Sequence, residues 1–360
     1  MIRIGATIVF LLLTGPATQA VQNRTAIGEI FAPVARTNSP GCAVGVYRAG
    51  EIVFAEGYGI ASIEHAGPIT PRTPFNVASL SKQFTAFAIH LLARERKLGL
   101  DDDIRRHLPE FPDVGAAVTV RHLLHHTSGL RAYEALHSVL GWNRDHPLSR
   151  EQALDIIYRH RTTGFPPGAR HQYGNTNYVL LAEIVERVSG RPLNRFLVDE
   201  VFSPLGMTNT HLRTDSLSVI PGRADTYWRR ADGGFRRNHL WEPAYATGAS
   251  NVITTIEDLA RLDAEFYDER VGGGGIVAAM YERGPLSSGG TTSYGSGIEN
   301  GEYRGVPLVW HTGGAGGDYA LVRFPAQRLT AAVLCNFEGA EAYGRALRVA
   351  DLFLGDALLR

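Results

Sequence analysis

Apolar residues recur at helical spacing at Ile27, Ile30, Phe31 and Val34, which predicts a helix over about 23–37. GCAVGVYRAG and EIVFAEGYGIAS then read as two strands joined at Ala49-Gly50, a hairpin. A polar, proline-containing loop from Gly67 to Pro74 leads into the strongest helical pattern of the chain, Ser79 to about Lys97. Its stripe is Phe84, Phe87, Ala88, Leu91 and Leu92, and Gly99 is its predicted end. From roughly 100 to 270 the pattern is mostly helical, broken by Pro and Gly. Asn177 to Val188 forms one clear helix closed by Gly190, and the run Gly272 to Gly275 reads as a loop. Between about 293 and 337 the period changes to that of strands, in SYGSGIE, PLVWHTG, DYALVRF and LTAAVLC. A last helix is predicted from about Ala340 to Leu359.

Strands at both ends with helices between them predict an α/β fold of the α+β type. An antiparallel sheet of five or more strands is built from both termini and flanked by helices, with an all-α lobe inserted. The expected division is an α/β part at about 21–98 and 280–360 and a helical lobe at about 99–279. Residues 1–20 are set apart. Arg3 supplies a positive start, Ile8 to Leu13 is an apolar run too short to span a bilayer, and Gly15, Pro16, Ala17, Thr18 and Ala20 follow. This pattern predicts a signal peptide cut after Ala20, and hence a periplasmic or secreted protein; an uncleaved anchor is the alternative.

The 36 basic and 36 acidic residues cancel, and no basic stripe stands out, which argues against nucleic acid and anionic membrane as partners. The two cysteines, Cys42 and Cys335, each lie in a strand-like run. If those strands are neighbours a bridge is sterically conceivable in an exported protein. The favoured reading is two small buried hydrophobes.

Chemistry concentrates at Ser79-Leu80-Ser81-Lys82. Spacing of three places both side chains on one helix face. A serine hydroxyl is a weak nucleophile until a base takes its proton, and a lysine serves only if its pKa is lowered, by burial and by the positive end of the helix. The chain has only two lysines, Lys82 and Lys97; its other basic residues are arginines, which cannot accept a proton near neutrality. The plain alternative for the motif is an N-cap serine near a surface lysine. Tyr173-Gly174-Asn175 precedes the Asn177 helix. A phenol kept acidic by a cationic neighbour could relay a proton, and Asn175 offers an amide to a substrate, or else caps the helix. His311-Thr312-Gly313-Gly314 ends the strand that begins at Pro307. Its glycines admit a substrate close to the strand edge, and His311 could bind a carboxylate or share a proton.

Ser-x-x-Lys, Tyr-x-Asn and a [Lys/His]-[Thr/Ser]-Gly element in this order resemble the serine β-lactamase and penicillin-binding-protein-like hydrolases, and most of all the class C β-lactamase, D-peptidase and esterase branch. TPFNVASLSKQFTA, RHLLHHTSGL, FPPGARHQYGNTNYVLLAEIVERVSG, VFSPLGMTNT and WHTGGAGG extend the resemblance over nearly all of the mature chain. It implies a sheet with helices on both faces, an all-α lobe and a site in the cleft between them, with no metal or cofactor. It implies that Ser79 attacks, that Lys82 and Tyr173 move protons, and that backbone N–H groups of Ser79 and Gly314 bind an oxyanion. Asn175, His311, Thr312 and Gly314 would contact a small-molecule or peptide substrate. A D-amino-acid peptide, amide or ester bond is the expected target. The alternatives are a β-lactamase and a non-catalytic peptidoglycan-binding relative. His311 departs from the lysine usual in true β-lactamases and points toward the peptidase and esterase relatives. Oligomeric state is left open.

His122, His125 and His126 lie at helical spacing, yet no His-Glu-x-x-His accompanies them, and a metal is not expected. Gly-x-Ser-x-Gly and Walker motifs do not occur, and GYGIAS lacks the third glycine of a dinucleotide fingerprint.

Overall fold

A computed structural model describes residues 16–135, 148–215, 218–238 and 246–358. The expected signal peptide falls mostly outside these residues, apart from the start of a helix, Pro16–Phe31.

The main sheet has six strands in the order β2-β1-β11-β10-β9-β8, all antiparallel. They are β1 (Cys42–Arg48), β2 (Glu51–Tyr58), β8 (Glu299–Tyr303), β9 (Val306–Gly314), β10 (Asp318–Phe324) and β11 (Leu329–Cys335). The β1–β2 hairpin turns at Ala49 and Gly50, both at positive φ (53° and 83°), as the two central residues of a type I′ turn require.

Alternation along the strands sends side chains to two separate cores. Val44, Val46, Ala320, Val322, Ala331 and Val333 face the helices Pro16–Phe31 and Ala342–Leu354. Ala43, Tyr47, Tyr319, Leu321, Ala332 and Leu334 face the rest of the molecule. Helix Ile256–Asp268 packs on β1, β2 and β11. The division expected near residue 279 therefore falls after a helix that belongs against the sheet.

The bridge between β1 and β11 overturns the reading of the cysteines as two unlinked thiols. Cys42 lies opposite Cys335 in the register, and the two form a disulfide. Two apolar runs 293 residues apart could not be paired from sequence; the closing of the sheet across the termini brings them together.

The helix carrying the motif differs from its amphipathic reading. Ser79 lies in a 3₁₀ turn, Ala78–Ser81, and the α-helix runs Lys82–Arg94. Every residue from Lys82 to Leu92 is buried, because the helix passes through the middle of the domain and packs on helices Asn175–Ser189 and Ile276–Tyr281. Arg96, at φ 58°, comes just after its end, ahead of Gly99. Helix Asn175–Ser189 closes on Gly190 at φ 70°, as its sequence predicts.

The middle of the chain is less helical than its pattern. It supplies β4 (His211–Leu212) and β7 (Val252–Thr254), which join β3 (Phe75–Asn76) in a small sheet, and a hairpin of β5 (Tyr227–Arg229) and β6 (Phe235–Arg237). SYGSGIE is not a strand except at its last residue. Gly295 and Gly297 lie where an added Cβ would come within 2.3 Å of Met280 O and 2.8 Å of the Lys82 carbonyl, so the segment runs over the central helix.

Candidate active site

The turn bearing Ser79 is held from two sides. Val77 N–H donates to Val252 O at 2.9 Å, and Ser81 Oγ accepts from Val252 N–H at 2.9 Å, tying the turn to β7. Asn76 Oδ1 accepts from Ala78 N–H at 3.1 Å and supports Ala78 at φ 48°, a left-handed conformation costing alanine about 1–2 kcal/mol. On the other side lies β9. A Cβ at Gly313 would sit 2.4 Å from Val77 O and 3.2 Å from Ser79 N, so only glycine lets this strand pass so close. Gly314 and Ser79 together line the cleft, with Ala78, Glu134, Asn175 and Ala249 on one side and Tyr173, Glu299 and Thr312 on the other.

Lys82 is fully buried. Its Nζ lies 3.1 Å from Ser79 Oγ, 2.8 Å from Asn175 Oδ1 and 2.8 Å from Ala249 O. Burial pushes the amine down to about 7, against a smaller upward pull from Glu134. Uncharged, it has two hydrogens and one lone pair. Asn175 Oδ1 and Ala249 O can only accept, so they take the hydrogens, and the lone pair is left for the hydroxyl of Ser79. This is the arrangement in which an amine can take a serine proton.

Tyr173 reaches the same point. Its ring lies 4.8 Å from Lys82 Nζ, and the Ser79 side chain is near enough to pull the phenol's pKa down. The residue is 42% exposed because it borders the cleft, yet the protein packed about the phenol pushes its pKa up; the Ser79 contact pulls it only partly back, and Glu299 and Glu134 add to the rise. The expectation of a phenol kept acidic by a cation is thus reversed: Lys82 is itself near neutrality, and Tyr173 stays protonated, able to donate.

Asn175 is the first residue of its helix, and both ends of its amide are engaged. Oδ1 accepts from Lys82, and Nδ2 donates to Glu134 Oε1 at 2.7 Å. Each end keeps one further position, a second N–H on Nδ2 and a second lone pair on Oδ1, and Asn175 lines the cleft where a substrate would meet them. His311 also differs from its expected part. It is buried, burial followed by the Lys82 charge pushes it down to about 3, and both ring nitrogens are engaged. Nδ1 faces Thr312 O at 2.6 Å, which only accepts, so the ring proton is on Nδ1; Nε2 then accepts from the hydroxyl of Tyr294 at 3.0 Å. A neutral imidazole with both nitrogens occupied offers no charge to a carboxylate. Thr312 and Gly314, next along β9, are exposed to the cleft.

Four parts of this site escape the motifs. Ala249 O acts through a backbone atom and leaves no trace in sequence. Glu134 sits in RAYEALHS, with no pattern around it. Tyr294 lies in the segment read as strand. His126 stands in the sequence only as one of a run of histidines in RHLLHHTSGL. The three histidines in fact diverge: His122 Nδ1 accepts from Thr119 N–H at 3.1 Å, His125 Nδ1 donates to Gly295 O at 3.1 Å, and His126 Nδ1 accepts from Asn177 Nδ2 at 3.0 Å. The His126 ring lies 4.4 Å from that of Tyr173 and, with Tyr178 and Tyr294, forms an aromatic floor under the site. Among the described residues no group of three or more His, Cys, Asp and Glu side chains could hold a metal ion.

Similarity to known proteins agrees with this architecture. The sequence profile of the Beta-lactamase family matches residues 19–355. A penicillin-binding protein of Bacillus subtilis (strain 168) is 32% identical over 319 residues, covering 83% of this chain and 68% of its own length. A D-aminopeptidase of Brucella canis is 30% identical over 324 residues, covering 88% of this chain but only 60% of its own length. Among solved structures, the octameric penicillin-binding protein homologue from Pyrococcus abyssi superposes with a TM-score of 0.79 at 26% identity, covering 93% of this chain and 77% of that one. The chain belongs to the beta-lactamase family of serine hydrolases.

Proposed function

We propose that this protein hydrolyses an amide, peptide or ester bond of a D-amino-acid derivative through an acyl-enzyme at Ser79. The observation that carries the reading is the buried Lys82 amine, near neutrality, with both hydrogens committed and its lone pair left for Ser79 Oγ. Ser79 Oγ attacks the carbonyl carbon as its proton passes to Lys82. The backbone N–H groups of Ser79 and Gly314 stabilise the oxyanion. The tetrahedral species collapses as the leaving amine or alcohol takes a proton from the Tyr173 hydroxyl, which is replenished from the Lys82 ammonium. Water then attacks the acyl carbon, gives its proton back along the same groups, and releases the acid and free Ser79.

The D-amino-acid class is supported by the D-aminopeptidase similarity, although this chain spans only 60% of that protein. The neutral His311 favours it over a β-lactamase, whose substrates carry a carboxylate. Export to the periplasm or outside the cell is supported by the apolar run at Ile8 to Leu13 and by the Cys42–Cys335 disulfide, a bond that persists in oxidising compartments. A panel of D-amino acid amides, D-peptides, p-nitrophenyl esters and cephalosporins, assayed with wild type and Ser79→Ala, tests the proposal. Turnover of the D-amides or D-peptides that disappears with Ser79 supports it; activity that survives Ser79→Ala, or confined to cephalosporins, overturns it.

A further inference from the structure

We propose that Glu134 is a positioning residue: its carboxylate fixes the orientation of the Asn175 amide and, through it, the direction of the Lys82 lone pair. The inference rests on the reading of Lys82 as the base of Ser79.

A carboxylate oxygen only accepts hydrogen bonds, whereas a side-chain amide has a donating and an accepting end. Glu134 Oε1 lies 2.7 Å from Asn175, so the Nδ2 end must face it. Oδ1 is thereby turned to Lys82 Nζ at 2.8 Å, where it takes one amine hydrogen while Ala249 O takes the other. With the amide reversed, Nδ2 would face Nζ. An uncharged amine would then spend its lone pair on that N–H, and Ser79, 3.1 Å away, would lose its base. A neutral amide at position 134 could meet either end of Asn175 and would permit both orientations; the carboxylate permits one.

The charge acts on the same amine, where it favours the protonated form. Around Lys82 stand the rings of Tyr173 at 4.8 Å and Tyr178 at 5.7 Å, and the imidazoles of His126 and His311, both driven neutral by burial. Burial also keeps both phenols protonated. Glu134 is the group whose charge pulls the amine upward, against its burial.

The test follows the rate at which a fluorophosphonate labels Ser79 between pH 5 and 10 in wild type, Glu134→Gln and Glu134→Asp, each checked for folding by circular dichroism. Glu134→Gln is expected to label about tenfold or more slowly on the plateau, the loss appropriate to a hydrogen bond with a charged partner. Its rise with pH is expected to have a lower midpoint than wild type, because a carboxylate has been removed from beside Lys82. Glu134→Asp, which keeps the accepting charge, is expected to recover most of the lost rate and the wild-type midpoint. Labelling by Glu134→Gln at the wild-type rate and midpoint overturns the inference alone, as does Glu134→Asp behaving no better than Glu134→Gln. A wild type that does not label at Ser79 removes the reading of the site, and the inference with it.

Discussion

The hydroxyl of Tyr294 donates to Nε2 of His311 at 3.0 Å, while Nδ1 of the same ring donates to the carbonyl of Thr312 at 2.6 Å. With both nitrogens occupied, and burial holding the ring neutral, the strand end beside Ser79 presents no cation to a substrate. Substrates that depend on a carboxylate anchor are therefore expected to be poor. The measurable form is the ratio of kcat/KM for a D-amino acid p-nitroanilide to that for a cephalosporin, which should strongly favour the anilide.

The Lys82 amine makes turnover pH-dependent. With its pKa near 7, kcat/KM is expected to fall about tenfold per pH unit below that value and to level off above it. Lys82→Arg keeps the charge but cannot shed a proton at these pH values, so it is expected to lose turnover by about a hundredfold or more at every pH, since positioned proton transfer contributes about 10²–10⁴. A flat profile in the wild type between pH 5 and 9 contradicts this assignment.

The same depressed pKa makes Lys82 costly to the fold. In the unfolded chain the amine holds its proton up to about 10.5, and in the folded protein only to about 7. Between these values the unfolded state binds more protons, so this group's contribution to stability improves as pH rises from 7 to 10.5. Lys82→Met is expected to be inactive, and its thermal midpoint relative to wild type should be highest at or below pH 7 and fall as pH rises toward 10. A difference that grows with pH over that range contradicts the burial of an uncharged amine.

Gly297, at φ 75°, presses on the central helix where a Cβ would lie 2.8 Å from Lys82 C and O. Gly297→Ala is expected to cost about 1–3 kcal/mol in denaturant unfolding, from the left-handed conformation and the overpacking together. By moving the segment that carries Tyr294, it should also lower kcat. Cys42→Ala with Cys335→Ala is expected to cost about 2–5 kcal/mol with little change in kcat, because the bond joins β1 to β11 within one core while Ala78 and Leu80, the neighbours of Ser79, pack in the other.

What was legible in the sequence was local. Ser79 and Lys82 are three residues apart on one turn, so their proximity follows from helical geometry before any fold is known, and the scarcity of lysine singles out the second. The hairpin at Ala49-Gly50 and the helix end at Gly190 follow from positive φ in the same way. Tyr173 and His311 needed the resemblance to be placed near Ser79, because the contacts that join them cross the whole chain. Their electrostatic states are set by burial more than by a neighbouring charge, and burial across the whole fold is not readable from residue spacing. Glu134 and Ala249 O lay beyond sequence reasoning: one acts through an amide on another helix, the other through a carbonyl any residue would supply. Segment 293–298 reads as strand, but two close glycine contacts with the core, not pairing, decide its path.

The central claim is tested most directly by mixing the protein with a D-amino acid p-nitrophenyl ester, quenching in acid on the millisecond scale, and weighing the intact protein and its peptides across pH 5–9. The account predicts one acyl adduct, on Ser79, whose formation rate rises with pH to a plateau with a midpoint near 7 and vanishes in Lys82→Arg. Ester hydrolysis with no adduct on Ser79, or an adduct whose formation ignores both pH and Lys82, would contradict it.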